Sequence, residues 1–133
     1  MSEQCTYHIT PVPKPRQTRS DKWKKRPRVL RYRQFADEVR DACIKIHLSG
    51  TRIIFKMPMP ESWSQKKKSE RDGQPHMSRP DIDNLLKALL DAAFLDDSCV
   101  WSITATKVWS RTPGIEVENA GAGKEATDAS VSR

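Results

Sequence analysis

The chain reads as a small single-domain α+β protein. A mixed four-stranded sheet carries two helices on one face, in the order β-α-β-α-β-β. Three observations predict this. With 133 residues there is room for one domain and one two-layer core. Two stretches repeat apolar residues every three or four positions, and four shorter ones alternate apolar with polar. Extended and helical stretches also interleave along the chain, which lets the helices share one side of a sheet.

Cys5 to Thr10 is the first predicted strand, with Cys5, Tyr7 and Ile9 on one face. Pro11, Pro13 and Pro15 end it and keep the chain extended. A helix is expected from Arg31 to His47, where Tyr32, Phe35, Val39, Ala42, Cys43 and Ile46 form one stripe before Ser49-Gly50 stops it. Thr51 to Met57 is the second strand, closed by Pro58 and Pro60. Residues 61–79 read as a long polar loop, a length that signals function or disorder in a compact domain. The second helix starts near Asp81 or Asp83 and ends near Ala93, anchored by Ile82, Leu85, Leu86, Leu89, Leu90 and Ala93. Ser98 to Trp109 is the third strand, with Trp101, Ile103, Ala105 and Trp109 on one side, and Gly114 to Asn119 is the fourth. The domain therefore spans 1–119, and the small, polar residues 120–133 are expected to be a disordered tail.

Composition narrows the function. No apolar run approaches the ~20 residues of a membrane span, and Met-Ser-Glu-Gln-Cys lacks a signal-peptide pattern. Cys5, Cys43 and Cys99 are odd in number and widely spaced, so buried, reduced thiols in a cytoplasmic protein are expected rather than zinc or disulfides. The net charge is +7, and it is concentrated. Between positions 14 and 33 lie Lys14, Arg16, Arg19, Lys22, Lys24, Lys25, Arg26, Arg28, Arg31 and Arg33 against the single acid Asp21, which leaves the rest slightly acidic. Such a basic arm suits a phosphate backbone, and the interleaved Trp23 and Tyr32 suit stacking on bases. A solubilising arm is the plainer reading, and the prolines argue against a membrane-surface helix. Lys66, Lys67 and Lys68, just ahead of the acidic motif, are further candidate DNA contacts, as is Arg79.

The acidic motif is Arg79-Pro80-Asp81-Ile82-Asp83-Asn84-Leu85-Leu86-Lys87, followed by Asp96-Asp97. On a helix, Asp83, Lys87 and Asp91 fall along one flank of the leucine stripe, with Asp81 just before it. Two unit charges ~4 Å apart at an effective dielectric of ~20 repel by roughly 4 kcal/mol, so Asp81, Asp83 and Asp97 would gather only around a cation. An all-oxygen set without histidine or cysteine suits Mg²⁺, with Mn²⁺ as a substitute. Such an ion activates water and offsets charge on a phosphodiester, and Lys87 can stabilise the oxygens of the transition state. The pattern thus predicts a metal-dependent nuclease. The bland alternative makes Asp81 or Asp83 a helix cap and Asp83–Lys87 an ordinary i,i+4 ion pair. His8, His47 and His76 sit in no signature and read as surface or packing residues.

Residues 79–101, RPDIDNLLKALLDAAFLDDSCVW, resemble the core signature of the RusA family of Holliday junction resolvases. Pro11-Val12-Pro13-Lys14-Pro15-Arg16 resembles that family's proline-rich basic stretch, and the resemblance covers roughly residues 5–119. It implies a homodimer that binds four-way DNA junctions and cuts two strands symmetrically with Mg²⁺, in recombination and repair, in a bacterial or phage-infected cytoplasm. By the same resemblance Asp81, Asp83 and Asp97 are the catalytic aspartates and metal ligands, with Asp96 as the alternate, and Lys87 is the essential lysine. One departure is that only Ala92, Ala93, Phe94 and Leu95 separate Asp91 from Asp96, a shorter connection than in the best-known members.

The alternative is a non-catalytic DNA-binding protein whose aspartates are caps and ion pairs. A metal–nucleotide enzyme of the DxD type is a third reading, for which 133 residues leave little space.

Overall fold

The computed structural model describes residues 3–15, 27–46, 50–94 and 99–119. Strand β1 (Glu3–Tyr7) is followed by helix α1 (Pro27–Ala42), strand β2 (Thr51–Pro58), a short helix α2 (Gln65–Arg71), helix α3 (Ile82–Ala93), and strands β3 (Ile103–Ser110) and β4 (Gly114–Asn119). The sheet runs β1-β4-β2-β3 and is mixed, because β2 and β3 are parallel while the other pairs are antiparallel.

Register explains which side is filled. Ile53 stands between Val117 and Ala105, and Phe55 between Ile115 and Lys107, so these residues share one face. Ile53, Phe55 and Ile115 are fully buried there. Helix α3 adds Leu85, Ala88, Leu89 and Ala92, and α1 adds Phe35, Ala36 and Val39. Small Ala36, Ala88 and Ala92 let α1 and α3 pack together. Burying Leu85 or Leu89 is worth about 1.5–3 kcal/mol each, enough to hold α3 and its exposed flank in place. At one end of the sheet, buried Thr51 donates its hydroxyl to Asn119 Oδ1 (2.7 Å), and Asn119 Nδ2 donates to Lys45 O (3.1 Å). On the edge side, a Cβ at Gly114 would lie 2.7 Å from Tyr7 O, so β1 closes onto β4 only across a glycine.

Several boundaries differ from the sequence expectation, each for a local reason. Helix α1 begins at Pro27, a residue well suited to a first helical turn, and stops at Ala42 instead of His47. Cys43 takes a left-handed φ of 52° and its N–H donates to Arg40 O, so the helix ends there and Ile44 and Ile46 reach the core from the irregular segment that follows. Cys5 and Cys43 are exposed and Cys99 is half-buried, against the expectation of buried thiols. Strand β3 starts at Ile103, and Trp101 is 77% exposed rather than inward-facing.

The polar stretch 61–79 is also structured. Ser64 caps α2 by accepting from Lys67 N (3.1 Å), a turn chemistry hidden within a lysine run. Trp63 packs on Trp109 with ring centres 4.7 Å apart, and His76 packs on the same indole at 4.1 Å. Arg111 ties the helix down through Gln65 O and Ser69 Oγ. Residues 73–76 then pair with β3: Gly73 N donates to Trp109 O, Trp109 N to Gln74 O, and His76 N to Lys107 O. That pairing covers an edge which would otherwise be open. The expected tail, 120–133, lies outside the described residues.

Candidate active site and nucleic-acid interface

Helix α3 carries the motif as the periodicity predicts. Its buried residues fall on one side, and Asp83, Asn84 and Lys87 are exposed on the other. Asp81 occupies the N-cap position with extended backbone angles, yet its side chain makes no capping hydrogen bond. Asp83 Oδ1 accepts from Asn84 N (2.9 Å). Among the described residues no ion pair joins Asp83 to Lys87, and neither Asp81 nor Lys87 has a side-chain partner. The Asp81 cap and the i,i+4 pair of the bland alternative are thus not formed among the described residues, whereas Asp83 does engage a first-turn N–H.

An exposed N-terminal carboxylate is not costly here. The N–H groups of the first turn are short of partners and favour negative charge. The Asp81 carboxylate is exposed and makes no capping bond, while Asp83 is engaged by a neighbouring N–H. Asp91, further along the same flank, is engaged differently, with its Oδ2 2.5 Å from Lys14 Nζ.

The proline-rich strap passes beside this helix start. Lys14 N donates to Asn84 O (3.3 Å), and Pro11 is buried. Strap, α1 and motif together enclose an open groove of about 790 Å³. Lys14, Arg28, Arg31 and Arg79 line it along with Asp81 and Asn84. Four cationic side chains thus share the groove with one carboxylate, Asp81.

Lys66, Lys67 and Lys68 lie on α2, with Lys67 Nζ 4.5 Å from the centre of the Trp63 ring. The structure brings Lys14, Arg28 and Arg79 together at the groove. Arg16, Arg19, Lys22, Lys24, Lys25 and Arg26 lie outside the described residues, as do Asp96 and Asp97. Among the described residues no three of His, Cys, Asp and Glu gather as a metal-binding group.

Arg31, counted in the basic arm, lines the groove from the first turns of α1. One residue near the site escapes the sequence reading. Lys107 occupies a core-facing strand position, and its Nζ donates to Ser78 O (2.6 Å) and Pro80 O (2.8 Å), just before Asp81. A lysine at an inward strand position is the signal that could have found it. Nearby, burial pushes the His76 pKa below its usual range, helped by the charge of Lys107, and His76 Nδ1 is buried with no hydrogen-bond partner among the described residues.

The model of the endodeoxyribonuclease RusA family matches residues 8–118. The chain belongs to this family. RusA-family proteins are endonucleases that resolve Holliday junctions in recombination and repair. The match takes in the strap, both long helices, the acidic motif and the last three strands, so every element that builds the groove lies within the RusA region. No curated protein matches the chain. No helix among the described residues is long and apolar enough to cross a membrane.

Proposed function

We propose that this RusA-family chain is a divalent-metal-dependent endonuclease that resolves four-way DNA junctions with paired, symmetric nicks, acting as a homodimer in a bacterial or phage-infected cytoplasm. The observation that carries this reading is the Asp81 carboxylate, without a capping bond or ion pair among the described residues, in a groove lined by Arg28, Arg31 and Arg79. A binding module would gain nothing from an acid in that place, since it repels the phosphates the arginines attract.

The residues fit a hard cation. Asp81 and Asp83 offer oxygen only, and Asp97, with Asp96 as the alternate, is the proposed third ligand. Bound there, Mg²⁺ or Mn²⁺ supplies charge neutralisation at the scissile phosphate and a water of lowered pKa. The chain's own residues do the rest. Arg28, Arg31 and Arg79 hold the strand by its phosphates, and the basic segment from Lys14 to Arg28 and the α2 lysines hold the junction arms. Lys87, one turn beyond Asp83 on the exposed flank, places an ammonium near the scissile phosphate, where it stabilises the negative oxygens of the transition state. Two such sites related by a two-fold axis match a two-fold junction, which is the argument for a dimer.

The test is incubation of the purified chain with a synthetic mobile four-way junction, with and without Mg²⁺, followed by mapping of nicks. Symmetric, Mg²⁺-dependent nicks are expected. Tight junction binding with no cleavage under any divalent ion would favour the non-catalytic DNA-binding alternative.

A further inference from the structure

Five residues, 77–81, carry the backbone from the sheet edge to the candidate site. The segment is fixed at both ends. His76 N donates to Lys107 O (3.1 Å), and Asp81 O accepts from Leu85 N (3.2 Å) as α3 begins. Among the described residues no backbone–backbone hydrogen bond reaches 77–80, and Met77, Ser78 and Arg79 are exposed. Lys107 Nζ supplies what is missing, donating at once to Ser78 O (2.6 Å) and Pro80 O (2.8 Å).

The choice of residue is informative. Lys107 is the register partner of fully buried Phe55, a position where an apolar side chain would be ordinary. An ammonium has three donors and can bridge two carbonyl oxygens, and such charge-assisted bonds are about twice as strong as neutral ones. Among the described residues no side-chain hydrogen bond aims Asp81, so the direction of its carboxylate follows the backbone just before it.

We infer that Lys107 is a positioning residue for the endonuclease reaction: by bridging Ser78 O and Pro80 O it sets the angle at which Asp81 enters the site. This rests on Asp81 serving the reaction as proposed above. Lys107 acts through the backbone and touches neither substrate nor reacting atoms. Misplacing a reacting group by about 1 Å can cost roughly 100-fold in rate, so losing the bridge should appear in kcat rather than in DNA affinity.

The experiment uses the full chain, a synthetic four-way junction and Mg²⁺. Lys107→Met keeps the length and removes the donors, Lys107→Arg keeps the donors, and Lys107→Gln keeps donor hydrogens on a shorter side chain. For Lys107→Met, kcat is expected to fall by roughly 100-fold with KM for the junction changed by less than about threefold. Lys107→Arg should recover most of the loss, with Lys107→Gln between. Mn²⁺ binding without DNA, read by electron paramagnetic resonance, should weaken in Lys107→Met and return in Lys107→Arg. Thermal melting identifies the folded variants, and if the Met variant does not fold, the Gln and Arg variants decide. Equal kcat across the folded variants overturns the inference, as does a loss carried by KM alone. A wild-type chain that nicks no branched DNA overturns the endonuclease reading itself, whereas wild-type nicking preserved in the donor-poor variants overturns only the role of Lys107.

Discussion

Lys14 Nζ meets Asp91 Oδ2 at 2.5 Å, joining the proline strap to the last turn of α3 across 77 residues of sequence. Both side chains are about one-third exposed, at 32% and 27%, so the pair is partly screened by water. Lys14 itself also lines the groove. Half-buried Tyr32 lies in the field of both charges: burial raises its pKa most, Lys14 lowers it and Asp91 raises it. Asp91→Asn should therefore lower the Tyr32 pKa, and Lys14→Met should raise it. NMR titration of ring-labelled tyrosine checks this, and shifts in the same direction would contradict the arrangement. A double-mutant cycle in urea should return a coupling of about 1 kcal/mol or less, because the pair is partly exposed.

Asp81 lacks the capping bond that its N-cap position invites. Its removal should therefore cost function and spare the fold. Asp81→Asn is expected to lower the cleavage rate by at least about 100-fold, since the carboxylate serves the metal site. Stability should change by no more than about 1 kcal/mol, because no capping bond is lost and only the attraction of the exposed charge to the helix N-terminus goes. Junction binding, measured by gel shift in Ca²⁺, should persist or tighten as a negative charge leaves the groove. Large destabilisation with cleavage intact would make Asp81 a structural cap.

The legibility of this site in the sequence follows from what kind of interaction places each residue. Helix α3 is readable because its leucines recur with the helical period, and that period alone sends Asp83 and Lys87 to the exposed flank. Strand β4 is readable because Ile115 and Val117 alternate with Glu116 and Glu118 between clear boundaries. Helix α2 is not, since its stability comes from a serine cap, an arginine 40 or more residues away and an indole stack, none of which leaves a periodic trace. The same holds for the end of α1, where a left-handed Cys43 does what a glycine usually does. Lys107 illustrates the general limit: its bridge joins residues 27 and 29 positions apart, and only the folded chain puts them side by side.

His76 offers a pH test. Its pKa lies below the ordinary 6.5, chiefly from burial and then from the Lys107 charge. In the unfolded chain the imidazole takes up a proton near pH 6.5, while in the fold it resists doing so. The unfolded state thus binds more protons below that pH, and stability falls as pH drops from about 6.5 toward the lower folded value. His76→Phe keeps a ring against Trp109 and cannot titrate. Urea unfolding between neutral and mildly acidic pH should show a decline in the wild type that is smaller in His76→Phe. Parallel declines would assign the acid sensitivity elsewhere.

Arg28 and Arg31 stand on the first turns of α1 and line the same groove as Asp81. If both hold phosphates, each releases a counterion on binding, and the logarithm of affinity falls with the logarithm of salt by about 0.9 per duplex phosphate engaged. Arg28→Gln and Arg31→Gln should each flatten that slope by about 0.9 on a duplex arm, and the double variant by the sum. Because phosphate contacts position DNA without reading its sequence, the loss should be the same for junctions of different sequence. Fluorescence anisotropy across a salt series measures it in Ca²⁺, where binding is separated from cleavage. An unchanged slope in the double variant would remove the groove from the DNA path and leave the arms to α2 and the segment preceding α1.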